Sequence, residues 1–145
     1  MFDYEFSKAC KELIISILKW LRLAGFSIVN FPDLEHYISP KKNITFHFEK
    51  NHRIYEIIVN HYNNREGKLY QIRNYKNKFR PEFEILVNSI IIQLIRTGYT
   101  VLHKEAKGFK YPYHQVAIIV EKNGLFYKMS VFDGKWDSIF NEIFA

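Results

Sequence analysis

The stretch NITFHFEKNHRIYEIIVN, residues 43–60, decides how this chain folds. Apolar and polar residues alternate on both sides of Asn51-His52, the pattern of two half-buried strands joined by a two-residue turn. That turn sets the register. Phe48 then faces Tyr55, Phe46 faces Ile57, and Ile44 faces Val59, with all six on one side of the ribbon. A second stretch, VAIIVEKNGLFYKMSV at residues 116–131, turns on Asn123-Gly124, a strong type I′ signal. Its register pairs Val120 with Tyr127, Ile118 with Met129, and Val116 with Val131. These six are the first six shifted by 72, and all are apolar. A slip of one residue would turn every side chain to the opposite face and destroy the agreement.

The surroundings follow nearly the same offset, with Gly25 and Gly98 standing 73 apart and one gap needed in the loop between. Residues 4–24 repeat Phe6, Cys10, Leu13, Ile17 and Leu21 at the helical period, and Gly25 stands where a helix stop belongs. A second helix starts at Pro81, carries Glu82 and Glu84 in its first turn, and stops at Gly98. FSIVNF (26–31) and YTVLH (99–103) read as strands entering the two hairpins, KLYQIRNY (68–75) as a further strand, and WDSIFNEIF (136–144) as a final helix. The expected fold is an α+β single domain, 1–145, of two repeated helix–strand–hairpin halves at approximately 4–78 and 79–145. In chain order it has a helix, four strands, a helix, three strands and a helix. The antiparallel sheet is packed by helices over a shared core, because six inward hairpin residues at about 1.5–3 kcal/mol each do not offset the ordering of one half alone.

A chain of 145 residues with 48% hydrophobic and 25% charged residues is globular and needs no disulfide or metal to fold. Cys10 is the single cysteine and sits on an apolar helix face, so it reads as a core residue. The start, MFDYEFSKAC, carries acids where a signal peptide carries bases, and the longest apolar run is too short to span a bilayer. The expectation is a cytoplasmic protein with no membrane partner. Heavy use of Phe, Tyr, Ile, Asn and Lys matches AT-rich codons and points to a bacterium, phage or mobile element.

Few constellations carry chemistry. The six histidines show no zinc-ligand spacing and the six glycines form no phosphate loop, so neither metal nor cofactor is expected. His47 lies across the first hairpin from Glu56, with Glu49 diagonal to it, on the face read as solvent-directed together with Thr45 and Ile54. That is a charge-paired face by one reading and a general base by another. The order helix, glycine-aromatic strand, hairpin is similar to the core of restriction-endonuclease-like nucleases, over about half the chain. The resemblance implies an acid on one strand and acid-x-Lys on the next, gathering a metal. Glu121 with Asp133-Gly134-Lys135, or Glu56 with Glu66-Gly67-Lys68, occupy those places. Glycine stands where that family puts an apolar strand residue, and no catalytic residue is assigned.

Residues 65–80, REGKLYQIRNYKNKFR, hold six Lys or Arg against one Glu and so carry +5 of the chain's net +6. Lys68, Arg73, Lys76, Lys78 and Arg80 interleave with Tyr75 and Phe79, a mixture suited to phosphates and stacked bases. Phe109, Tyr111 and Tyr113 sit in a second candidate, the loop 108–114, GFKYPYH. The first expectation is a non-catalytic accessory or inhibitory factor that binds nucleic acid or nucleoprotein through 65–80. The alternative is an inhibitor or immunity protein that meets a protein partner, such as an acidic protein surface, through 108–114. A degenerate metal-dependent nuclease comes third.

Overall fold

The computed structural model describes residues 2–63, 79–107 and 115–134. Two helices and six strands are arranged as α1 (Phe2–Leu23), β1 (Ser27–Asn30), β2 (Ile44–Lys50), β3 (Arg53–His61), α2 (Pro81–Arg96), β4 (Thr100–Lys107), β5 (Gln115–Lys122) and β6 (Leu125–Asp133). The strands form one antiparallel sheet in the order β1-β2-β3-β6-β5-β4. The fold is α+β. The strand read at 68–75 and the helix read at 136–144 lie outside the described residues.

Both hairpins take the register the turns dictate. Phe48 pairs with Tyr55, Phe46 with Ile57 and Ile44 with Val59; Val120 pairs with Tyr127, Ile118 with Met129 and Val116 with Val131. Positive φ at Asn51 (53°), His52 (62°), Asn123 (54°) and Gly124 (78°) closes each turn. All twelve inward residues are buried, with Phe46 and Ile118 both 0% exposed. They form one core cluster with Phe6, Cys10, Leu13, Ile14, Ile17 and Leu21 of α1 and Phe83, Leu86, Val87, Ile90 and Leu94 of α2. Burying residues of that size contributes roughly 1.5–3 kcal/mol each, and here both hairpins and both helices draw on the same set.

The helices end alike. Phe26 N–H donates to Leu21 O (2.9 Å) and Gly25 N–H to Arg22 O (3.1 Å); Tyr99 N–H donates to Leu94 O (3.0 Å) and Gly98 N–H to Ile95 O (3.1 Å). Each is a Schellman stop around a glycine at positive φ, 91° and 96°. A lysine from the hairpin turn then satisfies a leftover helix carbonyl, Lys50 Nζ on Ala24 O at 2.8 Å and Lys122 Nζ on Thr97 O at 3.0 Å. The preceding carboxylates hold the turns, Glu49 Oε1 accepting from His52 N–H (3.0 Å) and Glu121 Oε1 from Gly124 N–H (2.8 Å). The shared Glu-Lys-Asn triplet is thus a turn clamp, a helix cap and a residue that tolerates positive φ.

Two details depart from the sequence reading. The strand read at 99–103 runs on to Lys107, pairing through Lys107–Gln115 after a bulge between Val101 and His103. β1 carries a similar bulge between Ile28 and Asn30. Ile54, read as solvent-directed, is 1% exposed, and Ala117, Ile119 and Ser130 on that same sheet face are also buried. β3 lies inside a six-stranded sheet, so the open face of an isolated hairpin was the wrong reference for its side chains.

Candidate functional site

The central pair β3·β6 brings distant charges together. Tyr55 opposes Asp133 in the register, which places the start of β3 beside the end of β6. Asp133 is 1% exposed, and a carboxylate so buried needs partners. Arg53 Nε donates to its Oδ1 at 2.8 Å. Arg80, the residue before Pro81, donates from Nε to Oδ2 (3.2 Å) and from Nη2 to Oδ1 (3.1 Å). The same Nη2 reaches the Tyr55 hydroxyl at 2.7 Å, and Nη1 reaches Glu82 Oε2 at 3.1 Å. Partial burial works against the Arg80 cation, but its bonds to Asp133 and Tyr55 outweigh that and raise its pKa above the ordinary guanidinium value. Three segments far apart in sequence are locked by one carboxylate.

Beside this clasp opens a cleft of about 460 Å³. The last turn of α1 supplies Trp20, and Ala24 and Phe26 follow the helix. The β2–β3 turn supplies Lys50, Asn51, His52, Arg53 and Tyr55, and the start of α2 supplies Arg80, Glu82, Ile85, Leu86 and Ser89. Lys50 Nζ also lies over the Phe26 ring, 5.0 Å from its centroid. Tyr55 is stacked between Phe48 (5.5 Å) and Phe83 (6.4 Å), so its ring faces are used. A smaller cleft of about 290 Å³ lies between α2 and the β4–β5 pair, with Phe79, Phe83, Val87, Asn88, Lys104, Ala106 and Val116 around it.

Among the expected binding residues, Phe79 and Arg80 are described. Phe79 packs edge-on against Phe83 at 5.4 Å and Arg80 is held in the clasp, so both also serve the fold. Lys68, Arg73, Tyr75, Lys76 and Lys78, like Phe109, Tyr111 and Tyr113, lie outside the described residues. Trp20, Lys50, His52 and Arg53 escaped the sequence reading as a group because no local pattern joins a helix end to a hairpin turn. The one available signal was Lys50 itself, which recurs as Lys122 at the common offset.

His47 does meet Glu56, Nε2 to Oε2 at 2.7 Å. Its own N–H donates to Asn30 Oδ1 at 2.7 Å, which orients that amide, and Nδ1 lies 3.0 Å from the same oxygen. Both ring nitrogens thus lie within hydrogen-bond distance of protein oxygens, those of Glu56 and Asn30. Glu49 is engaged at the turn instead. Among the described residues no group of three His, Cys, Asp or Glu is placed to hold a metal ion. Glu121 and Asp133, paired by the nuclease resemblance, stand at opposite ends of the β5–β6 hairpin. Glu121 faces Phe126, seven residues from Asp133 and so roughly 23 Å along the strand. They do not share a metal site.

Comparison with protein-family models, with curated proteins and with solved structures returned no match. No helix of the described residues is long and apolar enough to cross a membrane.

Proposed function

We propose that this chain is a non-catalytic binding protein that engages nucleic acid, or a nucleoprotein, through the basic segment 65–80 and the cleft at its end. The cleft carries this reading. Lys50, Arg53 and Arg80 converge there with Trp20 and Phe26, next to the point where the segment of charge +5 enters α2. Basic side chains neutralise phosphates and aromatic faces accept bases. The role that fits is an accessory or inhibitory factor in the cytoplasm of a bacterium, or one encoded by a phage or mobile element. In the same reading the two halves, 4–78 and 79–145, are an internal duplication. The hairpins, helix stops, lysine caps and edge bulges that recur near offsets of 72–73 support it, and the full complement is three helices and seven strands. Affinity for an oligonucleotide should fall steeply with salt, and Arg73→Ala and Lys78→Ala should each reduce the log–log slope by about 1. A flat salt response sinks the reading.

One observation favours a second reading. Lys107 pairs with Gln115, so the connection bearing Phe109, Tyr111 and Tyr113 springs from paired strand ends at the edge of the sheet. A protein partner gripped there would be lost on Tyr111→Ala and kept on Arg73→Ala.

A further inference from the structure

Resting on the nucleic-acid reading, we infer that the cleft between α1, the β2–β3 turn and α2 is a pocket for one unstacked base, so that the partner is single-stranded. At about 460 Å³ it falls within the range of roughly 300–1,000 Å³ typical of small-ligand sites. Its rings are not equivalent. The Phe26 face is covered by Lys50 and the Tyr55 faces by Phe48 and Phe83. Trp20 is half-buried, rests on the core cluster and lines the cleft, and among the described residues no ring or cation is stacked on it, so the pocket reading gives its cleft-side face to the base. Three cations at the cleft, Lys50, Arg53 and Arg80, outnumber the two carboxylates, Glu82 and buried Asp133. The Lys50 ammonium has three donors and uses one on Ala24 O, so it can add a phosphate oxygen without giving up the helix cap.

The corresponding place in the second half supports the assignment by contrast. At the offsets set by the helix stops and hairpin turns, Gln93 stands for Trp20, Gly124 for His52 and Leu125 for Arg53. Ser7 stands for Arg80, and its hydroxyl is taken by Ile38 N–H at 2.9 Å. The lysine cap, which the fold needs, is present on both sides. The aromatic face and the arginines, which a ligand needs, are present on one. A base inside a duplex is stacked on both faces and cannot enter such a cleft, whereas a single strand presents unstacked bases.

The test compares labelled oligothymidylate of about 15 nucleotides, within reach of one small domain, with a duplex of equal length, by fluorescence anisotropy. Trp20→Leu should weaken single-strand binding by roughly 5- to 150-fold, the loss of one base–aromatic stack, and leave duplex binding unchanged. In a Trp136→Phe background, Trp20 emission should be quenched as the single strand is added, a readout that leaves the cleft intact. Single-strand binding with no effect of Trp20→Leu and no quenching overturns the pocket and leaves the broader reading standing. Tighter binding to the duplex does the same. No binding to either nucleic acid overturns both.

Discussion

The two ends of the central β3·β6 pair share a backbone and differ in chemistry. At one end Tyr55 opposes Asp133; at the other Tyr127 opposes His61. The tyrosines sit 72 residues apart and both rings are buried. The Tyr55 hydroxyl accepts a hydrogen bond from Arg80. The Tyr127 hydroxyl is buried with no hydrogen-bond partner among the described residues, and burial pushes its pKa well above the ordinary phenol value. Its neighbours are rings, with Phe6 stacked at 5.6 Å, and Phe6 in turn meets His61 edge-on at 5.1 Å. The first of these tyrosines is therefore tied to a charge network and the second is held among rings. Packing of the hairpins tolerates either, and the charged end lies beside a cleft.

The sharpest way to break this contrast is to remove Asp133. Asp133→Ala should cost about 3 kcal/mol in urea unfolding, the low end for a buried ion pair that loses one partner, because Arg53 and Arg80 retain 21% and 30% side-chain exposure. A loss below about 0.5 kcal/mol, the range of ordinary surface substitutions, would show that the clasp contributes little. Next come the helix stops, where the ends of α1 and α2 should agree. Gly25→Ala and Gly98→Ala each place a Cβ at positive φ, with a lysine atom 3.6 Å away in both cases. Each should cost about 1–2 kcal/mol, and unequal costs would mean that the two stops are not equivalent.

The tyrosines should then diverge in sign. Tyr55→Phe removes a charge-assisted bond and should destabilise by about 1–2 kcal/mol; Tyr127→Phe removes an unsatisfied hydroxyl and should be neutral or stabilise by up to about 1 kcal/mol. Equal effects in thermal melts would erase the distinction between the two ends. The smallest effect concerns pH. Burial lowers the His61 pKa in the fold, so below its ordinary value the unfolded chain binds a proton that the folded chain resists. Stability should fall as pH drops from about 7 to about 5, and His61→Gln should flatten that slope. Asp33, whose pKa is lowered first by its hydrogen bond with His36, acts in a lower window, losing its contribution only as pH falls below the ordinary carboxylate range. If His61→Gln leaves the slope intact, the Tyr127 end does not resist the proton.

Local physics made much of the fold readable in advance. The turns Asn51-His52 and Asn123-Gly124 determine register through the backbone, so every inward pair followed from two dipeptides and an alternating pattern. Gly25 and Gly98 marked the helix ends for the same reason. The strand order was not readable, because β3 meets β6 across more than sixty residues and nothing local specifies that pairing. The site suffered most from this. Arg53, Arg80 and Asp133 are joined only by that long-range seam, and Asp133 entered the sequence reading only through the nuclease pattern. Ile54 was misplaced because an isolated hairpin was the reference, and its place inside a six-stranded sheet is not a local property.

The bulges in β1 and β4 have a consequence for the molecule in concentrated solution. Among the described residues those strands border the sheet, and a flat border strand is a template for pairing with another chain. A kink at Ile28–Asn30 on one rim and Val101–His103 on the other interrupts that template at both ends. Among the described residues each border strand is thus broken one strand away from its hairpin, the device by which sheets discourage edge-to-edge association.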